Sequence, residues 1–162
     1  MKSQLNPTKN DLPVKTRAAV VGLLNGSLAN AVDLQSQAKQ AHWNVKGPSF
    51  IALHELFDKV ADGAEEAVDA LAERAVQLGG VAEGTARQAA SRSRLKEYPV
   101  GAADGRAHVE ALSNALAVFG KNVRAAIDEC ARLGDADTAD LFTGISREAD
   151  KTLWFVEAHN QS

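Results

Sequence analysis

Phe50-Ile51-Ala52-Leu53-His54-Glu55-Leu56-Phe57-Asp58-Lys59-Val60-Ala61-Asp62-Gly63-Ala64-Glu65-Glu66-Ala67-Val68-Asp69-Ala70-Leu71-Ala72-Glu73, continuing through Arg74-Ala75-Val76-Gln77-Leu78, is the stretch on which the fold turns. Phe50, Leu53, Phe57, Val60, Ala64, Ala67, Leu71, Ala75 and Leu78 recur in steps of three and four, which lines them along one face of a helix of about eight turns. Gly79-Gly80 supply the stop. Gly63 inside the helix costs about 1 kcal/mol relative to alanine.

On the N-terminal side, Pro13 suits a first helical turn, and Leu24, Leu28, Ala31, Gln35, Ala38 and His42 keep the helical step. A helix over 14–42 is expected, ended by the turn Lys46-Gly47-Pro48. So short a loop joins antiparallel neighbours. On the other side, a link of about 25 residues without a long period carries Tyr98-Pro99-Val100-Gly101, with a short Ala/Arg-rich helix expected over 82–90. A third long helix carries Val109, Leu112, Leu116, Phe119, Val123, Ile127 and Cys130 and stops at Gly134. A fourth carries Leu141, Ile145, Ala149, Leu153 and Val156 after an Asp/Thr-rich capping stretch. No strand pattern competes. Two short loops flanking one long link give an all-α, ferritin-like four-helix bundle over residues 13–159. The link is long enough to cross the bundle and let the second and third long helices run parallel. Residues 1–12 are polar and read as a mobile N-terminal tail.

The 162 residues suffice for one domain with a sizeable core. Apolar residues are 45% and charged residues 24%, which excludes wholesale disorder. A net charge of −3 excludes a bulk basic nucleic-acid binder. No run approaches the roughly 20 apolar residues of a membrane span. Met1-Lys2-Ser3-Gln4-Leu5-Asn6-Pro7 lacks the apolar core of an export signal. The lone cysteine, Cys130, cannot form an internal disulfide. A cytoplasmic protein is expected.

The polar face of the second helix points to chemistry. With His54 at zero and ~100° per residue, Glu65, Asp58, Asp69, Asp62 and Glu73 fall at ~20°, ~40°, ~60°, ~80° and ~100°. Between His54 and Glu73 seven acids stand against one base, Lys59. Carboxylates spaced at i,i+4 repel, and a cation relieves the repulsion. A solvated acidic face is the plain alternative. The His54/Asp58 and Asp69/Glu73 pairs, with His42 just outside the helix, favour a metal, and mixed imidazole and carboxylate donors suit iron, manganese or zinc. The two pairs lie about 22 Å apart along the helix axis, so no single ion bridges them within one chain. A two-fold dimer with antiparallel second helices brings them together and creates two sites, each shared between subunits. The intrachain Glu-x-x-His signature of di-iron bundles is absent.

Lys39-Gln40-Ala41-His42-Trp43-Asn44-Val45-Lys46-Gly47, then Phe50-Ile51-Ala52-Leu53-His54-Glu55 and Asp58, resemble the signature of the Dps family of bacterial and archaeal mini-ferritins. The resemblance continues in Asp69-Ala70-Leu71-Ala72-Glu73-Arg74-Ala75-Val76-Gln77-Leu78-Gly79-Gly80, in Leu95-Lys96-Glu97-Tyr98-Pro99, and in Ser146-Arg147-Glu148-Ala149-Asp150-Lys151-Thr152-Leu153-Trp154-Phe155. It implies a hollow homo-dodecamer with ferroxidase sites between two-fold-related subunits. It places the iron ligands at His42, His54 and Asp58 of one subunit and at Asp69 and Glu73 of its mate. It implies oxidation of Fe(II), preferably by hydrogen peroxide, and storage of ferric mineral inside the shell. It also implies three-fold pores lined by the start of the last helix, with Asp135 and Asp140 as candidates beside their capping role. Many members carry a histidine where this chain has Ala67. DNA-binding members usually carry a longer or more lysine-rich tail than Lys2 and Lys9 provide, so DNA binding is expected to be weak. A DNA-coating nucleoid protein with secondary metal chemistry is the alternative.

Overall fold

The computed structural model describes residues 5–161. Pro13 precedes α1 (Val14–Asn44), which turns through residues 45–49 into α2 (Phe50–Gln77). A long crossover holds the short α3 (Ala86–Arg92). Asp104 then caps α4 (Gly105–Leu133), and Asp135 caps α5 (Ala136–Glu157). Asp104 accepts a hydrogen bond from the Ala107 amide at 2.9 Å, and Asp135 does the same for Thr138 at 2.9 Å. These carboxylates satisfy amides that a helix start leaves unpaired. They also explain why both helices begin earlier than their first periodic apolar residue. No strand occurs among the described residues.

The four long helices enclose one core. Leu24, Leu28 and Leu34 of α1 meet Phe57 and Leu71 of α2, Leu112 and Val123 of α4, and Phe142 and Val156 of α5, all fully buried. α1 and α2 are antiparallel, because Arg17 near the start of α1 donates to the Leu78 carbonyl at 3.0 Å while His42 near its end meets His54. α2 and α4 run parallel. Leu53 near the start of α2 packs on Gly105 at the start of α4, and Arg74 near its end reaches Asp135 just past the end of α4. The crossover therefore traverses the length of the bundle, as its length requires.

Three buried amides of α1 hold the crossover. Asn25 donates to the Val81 carbonyl at 3.0 Å and accepts from the Glu83 amide at 2.9 Å. Asn30 accepts from the Arg94 amide at 2.8 Å, and Gln37 donates to the Lys96 carbonyl at 3.0 Å. Because residues 81–83 are engaged this way, the short helix starts only after Thr85, whose hydroxyl accepts from the Gln88 amide. It spans Ala86–Arg92 rather than 82–90.

Residues 1–4 of the expected tail lie outside the described residues. Residues 5–12 rest against the bundle: the Asn6 amide donates to the Gly79 carbonyl at 2.7 Å, and Leu5 and Leu12 pack on the core. Gly79 has φ of 87°, and a Cβ there would stand 2.6 Å from the Asn6 carbonyl oxygen. Only glycine permits this approach.

Candidate metal centre

The five-residue turn between α1 and α2 brings His42 and His54 face to face. Their rings stack with centroids 3.7 Å apart and planes 21° from parallel. Their hydrogen bonds are crossed: His42 Nδ1 lies 2.8 Å from the His54 carbonyl, and His54 Nδ1 lies 2.8 Å from the His42 carbonyl. A carbonyl only accepts, so each Nδ1 carries the proton and each Nε2 keeps its lone pair. Helix ends explain half of the arrangement. His42 lies in the last turn of α1, where carbonyls lack a partner within the helix. Backbone carbonyls on Nδ1 are the outer partners that orient imidazoles for metal binding through Nε2.

Asp58 follows one turn after His54. Its Oδ1 lies 3.9 Å from His42 Nδ1, so the carboxylate stands at the imidazole pair. Lys39, one turn before His42, makes a short ion pair with the same oxygen. The hydrogen bond from Lys39 holds the Asp58 carboxyl below the ordinary aspartate range. The pairing in turn raises the Lys39 ammonium, with the Asp62 and Glu65 carboxylates adding to the effect. A cation thus already occupies the carboxylate of the histidine end of α2.

Asp69 and Glu73 lie toward the far end of α2, both solvent-exposed. Their own chain does not bring them to the histidines. Among the described residues of one chain, no cluster of three or more His, Cys, Asp or Glu side chains is placed to hold an ion. Around both halves of the set, large apolar side chains face outward: Trp43, Phe50 and Ile51 near the histidines, and Val76 near Glu73. Apolar side chains are thus exposed at both ends of the acidic stripe.

Asp135 is corrected as a pore residue. It is 1% exposed. Its Oδ1 accepts from Thr138 N and from Arg74 Nη2 at 3.1 Å, and its Oδ2 accepts from the Thr138 hydroxyl at 2.6 Å. Arg74 Nε also donates to the Thr138 hydroxyl at 2.9 Å. This carboxylate caps α5 and pins the end of α2; it presents nothing to a passing ion. Asp140 is exposed on α5 and lines a groove toward Glu66 of α2 with Arg147 and Glu148. Trp43 and Trp154 are exposed on the single chain. Cys130 is fully buried, and burial pushes its thiol up to about 11, which leaves it unreactive.

Sequence reading missed Lys39 and Arg74. Lys39 was findable, since its spacing of three from His42 puts both on one face of α1. Arg74 carries no comparable local signal, because its partners are more than 60 residues away in the chain.

The Ferritin-like domain family matches residues 21–162, which defines the class. The "DNA protection during starvation protein" of Agrobacterium fabrum is 47% identical over 154 residues, covering 95% of both chains. DpsA14 of Streptomyces coelicolor superposes with a TM-score of 0.93 at 34% identity, over 100% of this chain and 96% of that one. Dps of Mycobacterium smegmatis superposes with a TM-score of 0.92 at 31% identity, over 97% and 96%. Within the ferritin-like class, the chain belongs to the Dps family.

Proposed function

We propose that this protein is a Dps-type ferroxidase and iron store. The observation that carries the reading is the crossed imidazole–carbonyl pair: two stacked imidazoles with both Nδ1 atoms bonded to carbonyls, which leaves both Nε2 lone pairs free, with the Asp58 carboxylate 3.9 Å from the pair and exposed apolar groups around it. Iron is the substrate and cargo. The positions of the proposed ligands are symmetric about the point between Gly63 and Ala64. His54 mirrors Glu73, Asp58 mirrors Asp69, and exposed Ile51 mirrors exposed Val76. An antiparallel pairing of two α2 helices about that point joins His42, His54 and Asp58 of one copy to Asp69 and Glu73 of the other. The partner completes the donor set and covers the apolar rim in one step. Further contacts close the hollow dodecamer.

In this site the histidines bind Fe(II) through Nε2, and Asp58, Asp69 and Glu73 supply the negative charge that ferric products require. Lys39 must release Asp58 when the ion arrives. Hydrogen peroxide takes one electron from each of two Fe(II) ions and, with two protons, becomes two waters. No hydroxyl radical leaves the site. Ferric mineral collects inside the shell, Asp140 draws Fe(II) through the three-fold pores, and the protein guards cytoplasmic DNA against oxidative damage.

The test is anaerobic Fe(II) titration followed by peroxide, with the mass of the assembly measured in parallel. Saturable binding, rapid oxidation and a twelve-chain particle are expected. A stable single chain of 17.1 kDa at micromolar concentration would overturn the reading, because the donor set would then be split. DNA contact is expected to be weak. The whole chain carries net charge −3, and residues 5–12 lie on the bundle rather than reaching outward. Gel shifts are expected below ~50 mM salt and lost by ~150 mM, as counterion release dictates.

A further inference from the structure

Tyr98 is the single tyrosine of the chain. It sits in the crossover just before Pro99, 8% exposed. Its hydroxyl lies 2.5 Å from Nδ1 of His108, a residue of the first turn of α4 that is 1% exposed. The two rings are near-parallel with centroids 6.1 Å apart. On its other side His108 meets Phe57, centroid to centroid 6.4 Å, and Phe57 directly precedes Asp58 on α2. A short series of rings therefore runs from a buried phenol to Phe57, the core residue that adjoins Asp58 in sequence.

A purely structural polar pair would satisfy both ring nitrogens. Here His108 Nε2 is buried and makes no hydrogen bond. Such an orphan in a native core calls for an explanation. Burial lowers the pKa of His108, and burial pushes Tyr98 up to about 12. At neutral pH the pair is a neutral phenol against a neutral imidazole whose free base nitrogen, Nδ1, faces the hydroxyl. The Asp104 carboxylate and the Asn44 backbone lie where they favour a positive imidazole, although the latter stops short of hydrogen-bond geometry to Nε2. A buried phenol resists giving up an electron because the product would be a charged radical in an apolar site. A base at 2.5 Å takes up the proton and moves the charge from the phenol to the imidazole, where the Asp104 carboxylate favours it.

We propose that Tyr98 and His108 form a redox-active dyad, in which Tyr98 gives one electron toward the metal centre while its phenolic proton passes to His108 Nδ1. The inference rests on the ferroxidase reading for its oxidant, a one-electron oxidant formed from peroxide and iron. The Oη–H bond breaks and an Nδ1–H bond forms. The oxidant gains one electron, and Tyr98 becomes a neutral radical beside an imidazolium. A further Fe(II) restores the phenol: it yields one electron and becomes Fe(III), and the proton returns from His108. The dyad thereby disposes of oxidising equivalents that are not consumed as a two-electron pair. Trp43 and Trp154, both exposed, are the competing donors.

Two measurements decide. In the first, the assembled, Fe(II)-loaded protein is mixed with peroxide and freeze-quenched for electron paramagnetic resonance. A tyrosyl radical is expected in the native protein and absent from Tyr98→Phe, whose initial rate of iron oxidation stays unchanged. Iron oxidation with tryptophan radicals alone would overturn the dyad and leave the ferroxidase reading standing. The second uses no iron: a photo-excited ruthenium complex oxidises the metal-free assembly. Tyr98 oxidation is expected to show a deuterium isotope effect and to slow on the order of a hundredfold in His108→Gln, as loss of a positioned base implies. An unchanged rate in that folded variant, with no isotope effect, would overturn proton transfer to His108. Absence of iron oxidation in the native protein would defeat the ferroxidase reading, and the second measurement would still decide the dyad.

Discussion

The two ends of α2 carry the two halves of the proposed donor set and are built in opposite ways. At the His54 end the ligands are half-buried, their tautomers are fixed by carbonyls 2.8 Å away, and Lys39 keeps the carboxylate company. At the Asp69 and Glu73 end the carboxylates are exposed and unpaired by any salt bridge among the described residues, while the backbone beneath them is pinned by Arg74 and Asp135. One end fixes side-chain geometry and the other supplies charge. A half-site that binds iron weakly alone and strongly when mated follows from this division. Under the proposed ferroxidase function, this ties oxidation to assembly, so that ferric ion would form where a shell exists to hold it.

The largest effects should come from removing a ligand at either end. Asp58→Ala and Glu73→Ala are each expected to slow peroxide-dependent iron oxidation at least about tenfold, judging by the smaller perturbations that outer-sphere changes cause. The oligomer should persist in both, as light scattering would show. Mixing the two variants under conditions of subunit exchange sharpens the comparison. A mixed dimer has one doubly damaged and one intact site, so activity should partly return. No recovery in exchanged mixtures would mean that the ends do not cooperate across chains.

Next comes the support beneath the carboxylate end. Asp135→Ala leaves the Arg74 guanidinium without its buried partner and removes the α5 cap. It is expected to cost about 3 kcal/mol of stability, the scale for breaking a buried pair. Chemical denaturation at fixed protein concentration measures it. The same loss from a substitution at exposed Asp140 would contradict the assignment of the two aspartates to different roles.

The long helices were legible because each has an apolar face several turns long, and periodicity over such lengths leaves one answer. The parallel run of α2 and α4 followed from link length alone. The proposed ligands stand out in the sequence because α2 places all but one of them on one stripe. What escaped was non-local. Asn25, Asn30 and Gln37 look like helix-surface residues until the crossover is laid over them. The pairing of His108 with Tyr98 has no sequence signal, because Tyr98 stands on a loop whose path no period dictates. Asp135 stood as a pore candidate beside its capping role because a capping aspartate and a pore aspartate share the same sequence signal; burial separates them.

The smallest effect concerns Lys39, and it tests whether the histidine end is held ready or held shut. The ammonium and an arriving cation compete for the same carboxylate. Lys39→Met keeps the length of the side chain and removes the competitor. The pair is partly exposed, at 37% and 42%, and solvent weakens its hold. The half-saturating Fe(II) concentration should therefore fall by only about two- to fivefold. The sign in the metal-free protein is fixed independently. Lys39 holds the Asp58 carboxyl below the ordinary value of 3.8, so the pair contributes stability above that range and loses it as acid protonates the carboxylate. In Lys39→Met the Asp58 carboxyl should titrate at higher pH than in the native protein, as carbon-13 resonance would record. If Asp58 titrates higher and iron affinity also falls, the lysine serves to keep the carboxylate charged for the ion. If Asp58 titrates higher and affinity rises, the lysine is a counter-ion that iron must displace, and the second outcome is the one expected.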